Sequence, residues 1–166
     1  MTPDVAANAT DNTTPTPKKP SFAATRPVNP PGVTPILTHE QVWKGLAYKA
    51  RYPKAFMPVI TSCELVEDHG DKVVRSVRFG DAEPVDEYID LYEPTIIYFE
   101  IPSRGNRITN FLSYDVNDNL LLTFTFANGI PGGSLKDSVQ ESNKMIGGGV
   151  ERTINKLREM VKAGEL

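Results

Sequence analysis

The chain has 166 residues, 39% of them apolar and 23% charged, and a formal net charge of −3. That length suits one domain with a proper core, and with no basic cluster longer than Lys18-Lys19 the balance excludes nucleic acid as an expected partner. No run of about 18 apolar residues is present, so no membrane span is expected, and the single cysteine, Cys63, rules out an internal disulfide.

Met1 to about Pro20 is rich in Thr, Pro, Ala and Asn with almost nothing to bury, and reads as a disordered tail ahead of one domain over residues 21–166. The tail lacks a charged segment followed by an apolar one, so the expected location is the cytoplasm. Ser21 to Val28 reads as a first strand anchored by Phe22. Thr38 with Gln41 forms a capping box, and Val42, Trp43, Leu46, Ala47 and Ala50 follow at helical spacing until Pro53 ends the helix near Arg51-Tyr52. A short second helix is expected through Ala55 and Phe56, closed by Pro58.

From Ile60 the apolar period changes to two. Strands are expected at Ile60–Glu67, Lys72–Phe79, Val85–Tyr92, Thr95–Ile101, Asn106–Asp115 and Leu120–Phe126, separated by Gly-, Asn-, Asp- and Pro-bearing turns. Such short connections make an antiparallel meander. Ser134 to Ala163 then reads as one long helix, opened by the capping pair Ser134 and Asp137. Its stripe is Val139, Ile146, Val150, Ile154, Leu157 and Val161, with Met145 and Met160 alongside. Inside it lie Gly147, Gly148 and Gly149, each costing about 1 kcal/mol relative to alanine. Either the run kinks or breaks the helix, or the helix spans a cavity and the glycines leave room for a guest.

An antiparallel sheet of about seven strands cannot leave its apolar face open, and the long helix is the one element large enough to cover it. The expected class is therefore α+β: a curved sheet wrapped around a C-terminal helix, two short helices after the first strand, and an internal cavity. This layout resembles the helix-grip superfamily, which includes START lipid-transfer domains, the birch-pollen allergen type and aromatic polyketide cyclases. Pro27-Val28-Asn29-Pro30-Pro31, Leu37 to Leu46, Lys49-Ala50-Arg51, Phe56-Met57-Pro58 and Leu121 to Phe126 are similar to the AtaL-like branch, over about Ser21 to Leu166. That branch takes its name from a protein of a fungal gene cluster that makes an epithiodiketopiperazine. The resemblance implies a fold, a ligand cavity and a setting in secondary metabolism; it supplies no reaction and no catalytic signature.

Alternation along the strands sorts the polar candidates. Arg75 shares a face with Val73, Val77 and Phe79, and Glu87 with Val85, Ile89 and Leu91, which places the two diagonally across neighbouring strands under the helix. They are the candidate catalytic pair, Arg75 to hold an enolate or carbonyl oxygen and Glu87 to move a proton; the competing reading is a structural ion pair. Phe124 points inward on the last strand, and counting back puts Asn110 and Tyr114 on the same face, which agrees with the earlier strands if the Glu93-Pro94 connection is odd in length or a bulge lies nearby. With Trp43, Met145, Ile146 and Gly148 they are the candidate ligand contacts. His39 opens a helix and His69 sits at a turn tip, so no metal is expected, and no P-loop, GxGxxG, GxSxG or HExxH pattern points to a cofactor. The expected function is a cofactor-independent cyclase, isomerase or dehydratase acting on a hydrophobic polyketide- or peptide-derived intermediate. The alternatives are a non-catalytic carrier of such a molecule and a protein-interaction module. A monomer or homodimer is expected.

Overall fold

The computed structural model describes residues 14–166. Most of the expected tail, residues 1–13, lies outside the described residues; residues 14–20 are exposed and without regular secondary structure. Seven strands follow: β1 (Phe22–Pro27), β2 (Ile60–Asp68), β3 (Lys72–Phe79), β4 (Val85–Tyr92), β5 (Ile96–Ile101), β6 (Asn106–Tyr114) and β7 (Leu120–Ala127). They form one antiparallel sheet in the order β1-β7-β6-β5-β4-β3-β2. The meander from β2 to β7 follows from its short turns, and β1 closes onto β7 after the chain has travelled the whole sheet.

Helix α1 (His39–Arg51) begins at the expected box: Thr38 Oγ1 accepts from Gln41 N at 3.2 Å, and Thr38 N donates to Gln41 Oε1 at 3.0 Å. The expected second short helix is a single 3-10 turn, Pro53–Ala55, because Pro53 starts it and Pro58 lies too close beyond it for a further helical turn.

Helix α2 (Val139–Lys162) covers the sheet, and its start differs from expectation. The cap is Ser138, whose Oγ accepts from Glu141 N at 3.1 Å, and Ser134 and Asp137 belong to the preceding loop. Two S-x-x-acid patterns stand four residues apart here, and the second is the one fixed by tertiary contacts: Lys136 N donates to Ser142 Oγ at 3.1 Å, folding the loop back on the first turn. Val139, expected on the buried stripe, is therefore 68% exposed.

The glycine run neither breaks the helix nor serves one purpose. A Cβ on Gly147 would fall on the guanidinium of Arg26 from β1, whereas Cβ atoms on Gly148 and Gly149 would meet nothing. Arg26 uses the space to donate from Nη2 to the Asn143 carbonyl at 3.0 Å and from Nε to Glu151 Oε1 at 2.7 Å. Farther along α2, the buried Arg158 donates to the carbonyls of Val28 and Pro35, both at 2.7 Å. A second close approach lies at Gly45 of α1, where a Cβ would overlap the Leu157 side chain of α2. One continuous apolar core joins α1, α2 and the concave face of the sheet, from Val42 and Leu46 through Phe99 and Leu122 to Ile154 and Leu157.

Candidate functional site

The sheet and the two helices do not meet everywhere. Between the middle of α2, the end of α1 and strands β3–β7 lies a cavity of about 270 Å³, just below the ~300–1,000 Å³ common for small-molecule sites. Phe99, Ile108, Phe124 and Phe126 form its sheet wall, and Met145, Ile146, Gly149 and Thr153 of α2 its roof. Phe56 to Val59, Phe79 and Pro131 close one end. The side chains present a mostly apolar lining because strand positions two apart face the same way, and most of the inward positions of these strands are apolar.

Against that lining stands one polar cluster, made of Arg75, Glu87, Lys49 and Asn110. Arg75 and Glu87, each 2% exposed, are direct cross-strand partners rather than diagonal ones. The register is two residues from that expected because the β3–β4 turn pairs Val77, not Phe79, with Val85. Arg75 donates to Glu87 Oε2 from Nε at 2.7 Å and holds it from Nη2 at 2.5 Å. Its Nη1 donates to the carbonyls of Ala50 at 2.6 Å and Lys49 at 3.1 Å. Arg75 therefore also satisfies carbonyls in the last turn of α1, which have no partner within the helix. The structural reading of the pair describes these contacts, and both residues also line the cavity.

Lys49, which the alternation of the strands could not reveal, supplies the fourth member. It leaves the last turn of α1, is 4% exposed, and donates from Nζ to Asn110 Oδ1 at 2.9 Å. Its Nζ sits 4.6 Å from the ring centre of Phe124 and 5.6 Å from that of Phe99. Burial, with the Arg75 charge next, lowers its pKa to about 7 from 10.5, while Glu87 opposes the shift. A sequence signal existed: Lys49 stands seven residues after Val42 and three after Leu46, on the buried stripe.

Of the expected ligand contacts, Asn110, Phe124, Met145 and Ile146 line the cavity. Trp43, Tyr114 and Gly148 do not. Trp43 is packed in the core between α1 and the sheet. Tyr114 is the last residue of β6 and is 51% exposed. Its ring stacks on His39 and its hydroxyl lies 2.7 Å from His39 Nδ1, while His39 Nε2 donates to the Pro94 carbonyl at 2.7 Å. Gly148 faces outward over a shallow groove beside Glu151 and Lys156. The connection through Glu93-Pro94 has the odd length the inward register required, three residues between Tyr92 and Ile96. Among the described residues no cluster of three His, Cys, Asp or Glu side chains is placed to hold a metal, and no helix is long and apolar enough to cross a membrane.

A seven-stranded antiparallel sheet gripping a C-terminal helix over an internal cavity defines a helix-grip protein. Residues 22–164 match the family described as AtaL, Acetylaranotin biosynthesis cluster protein L, and the chain belongs to that family. Among solved structures, KanY protein aligns with a TM-score of 0.58 and 10% identity over 87% of this chain and 98% of its own. The di-domain ARO/CYC StfQ from the steffimycin biosynthetic pathway aligns at 0.55 and 11% identity, over 87% of this chain and 52% of its own. The di-domain ARO/CYC BexL from the BE-7585A biosynthetic pathway aligns at 0.51 and 11% identity, over 84% and 48%. At these identities the likeness is one of fold, and the chain spans about half the length of the two di-domain proteins. No curated protein matches the chain in sequence.

Proposed function

We propose that this chain is a cofactor-independent enzyme of secondary-metabolite biosynthesis, a cyclase, isomerase or dehydratase that folds an apolar carbonyl-bearing intermediate in the cavity and moves a proton within it. The observation that carries this reading is a cluster of buried charge, Lys49, Arg75 and Glu87 with Asn110, set into a lining that is mostly apolar apart from Arg152 and Thr153 of α2. An apolar chamber orients a flexible substrate by shape, and fixed charge at one wall stabilises an enolate where water is excluded. Arg75 and Lys49 supply the positive field for that oxygen. Glu87, whose contacts with Arg75 both fall on Oε2, carries the proton on its other oxygen. Membership of a family described from a biosynthesis cluster, and a fold shared with two di-domain ARO/CYC proteins, support the same setting.

The second reading, a carrier that does no chemistry, draws on the engagement of Arg75 with Glu87 and with α1, which is complete without a guest. Native mass spectrometry of the protein from its producing cells, followed by denaturation, identifies any bound compound, which is then offered back to the protein. Conversion that Glu87→Gln abolishes while binding persists supports the enzyme. Binding with no conversion by the wild-type chain supports the carrier.

A further inference from the structure

We propose that Lys49 is a nucleophilic amine that captures the carbonyl of a β-dicarbonyl guest as an imine. This deepens the reading of the cavity as a reaction chamber and rests on it. Three features of the geometry carry it. The amine is in the wall of the cavity, at the end of a side chain that enters from α1. Its one hydrogen-bond partner is the neutral amide oxygen of Asn110, at 2.9 Å. Among the described residues no carboxylate pairs with it, because Glu87 is taken by Arg75.

A charged ammonium out of water, near a guanidinium and with no carboxylate paired to it, is held in an unfavourable place. The Glu87 charge and the faces of Phe99 and Phe124 offset only part of that cost. The neutral amine suits this site better, and it has a lone pair. With a pKa of about 7, roughly half of the protein carries that lone pair at neutral pH, against about one in 2,500 for an exposed lysine. Desolvation of this kind is one way in which lysines are activated toward carbonyl groups.

The step balances without a further reactant. The Nζ lone pair forms a bond to the carbonyl carbon as the C=O π pair moves to oxygen, and a proton passes from nitrogen to that oxygen. The carbon–oxygen bond of the carbinolamine then breaks, water leaves with the second amine proton, and C=N remains. Net, one amine and one ketone give one imine and one water. Glu87 takes a proton from the adjacent carbon and the imine nitrogen receives one in return, which gives the neutral enamine tautomer, and its carbon attacks a further carbonyl of the same molecule. Hydrolysis returns the water and frees Lys49. A β-dicarbonyl guest suits this sequence because the carbon between its carbonyls is acidic and its imine relaxes to a stable enaminone.

The test treats the whole chain with benzoylacetone at neutral pH, read by intact mass, near-ultraviolet absorption of the enaminone and peptide mapping. The expected result is one adduct per chain, heavier by the diketone less one water, located at Lys49. In proportion to the amine fraction it should form about a thousandfold faster than at an exposed lysine, and not at all at position 49 in Lys49→Arg. Displacement of an apolar naphthalenesulfonate fluorophore by the same diketone is followed in parallel. Displacement without an adduct at Lys49 overturns the imine and leaves the chamber standing. Neither displacement nor adduct overturns both, and adducts spread evenly over the exposed lysines overturn the special role of Lys49.

Discussion

Alanine placed singly at the three glycines of α2 should give three different outcomes, although the residues are consecutive in sequence. Alanine favours a helix interior over glycine by about 1 kcal/mol, through backbone entropy alone. At Gly148 the added methyl meets nothing, so the whole gain should appear, raising Tm by about 2–4 °C in a chain of this size. At Gly149 the methyl also meets nothing, but it enters the roof of the cavity. Its bulk, close to the ~30 Å³ share of one water, takes about a tenth of the 270 Å³. Gly149→Ala should therefore stabilise the protein as Gly148→Ala does while weakening the fluorophore that fills the cavity. At Gly147 the methyl displaces the Arg26 guanidinium from the Asn143 carbonyl and Glu151. Losing charge-assisted hydrogen bonds worth about 1.5–3 kcal/mol outweighs the helix gain, so Gly147→Ala should be less stable than wild type by about 1 kcal/mol. Urea denaturation and fluorophore titration read both quantities. A Gly147→Ala protein as stable as Gly148→Ala would refute the seat assigned to Arg26. Unchanged titration by Gly149→Ala would refute the roof.

Other substitutions probe the polar cluster and the packing beneath it. Since folded Lys49 binds its proton less tightly than unfolded Lys49, the folded state should gain stability as pH rises from about 7 toward 10.5. The gain is at most roughly 5 kcal/mol, and that limb should flatten in Lys49→Met when urea midpoints are compared across pH. Arg75→Ala leaves Glu87 buried and unpaired and removes the donor to two carbonyls of α1, which should cost about 3–5 kcal/mol by urea denaturation. The double change Arg75→Met with Glu87→Leu should cost less than Arg75→Ala, since no lone charge is left behind. Gly45→Ala drives a methyl into Leu157, and thermal unfolding should show a loss of about 1 kcal/mol after the helix gain is counted.

The strands from β3 to β7 were legible because one face is buried, so Val73, Arg75, Val77 and Phe79 alternate with the less buried Lys72, Val74, Ser76 and Arg78. The same alternation placed Asn110 and Phe124 inward, and it holds. It says which face a residue is on, but not how far along the strand the cover extends. Tyr114 is on the expected side and still half exposed, at the end of β6 where His39 of α1 takes the ring. Trp43 shows the same limit on a helix: the stripe is buried, and the sequence does not say which part of it meets core and which part cavity. Lys49 was hidden for another reason. A lysine in the last turn of a helix ordinarily complements the dipole from the surface, so its place on the apolar stripe is easily passed over. The capping site of α2 needed tertiary information, since Ser134 and Ser138 each begin a plausible box and Ser142 decides between them.

Because successive residues of a helix point about 100° apart, Gly147, Gly148 and Gly149 look toward a β1 arginine, toward solvent and toward the cavity. Three neighbouring codons thus govern anchorage, bulk stability and guest size separately. A lineage can change what fits beneath α2 by one substitution at position 149 and recover the lost margin at 148, with the hold on the sheet at 147 untouched. That division lets the volume beneath the roof change with little cost to the stability of the fold.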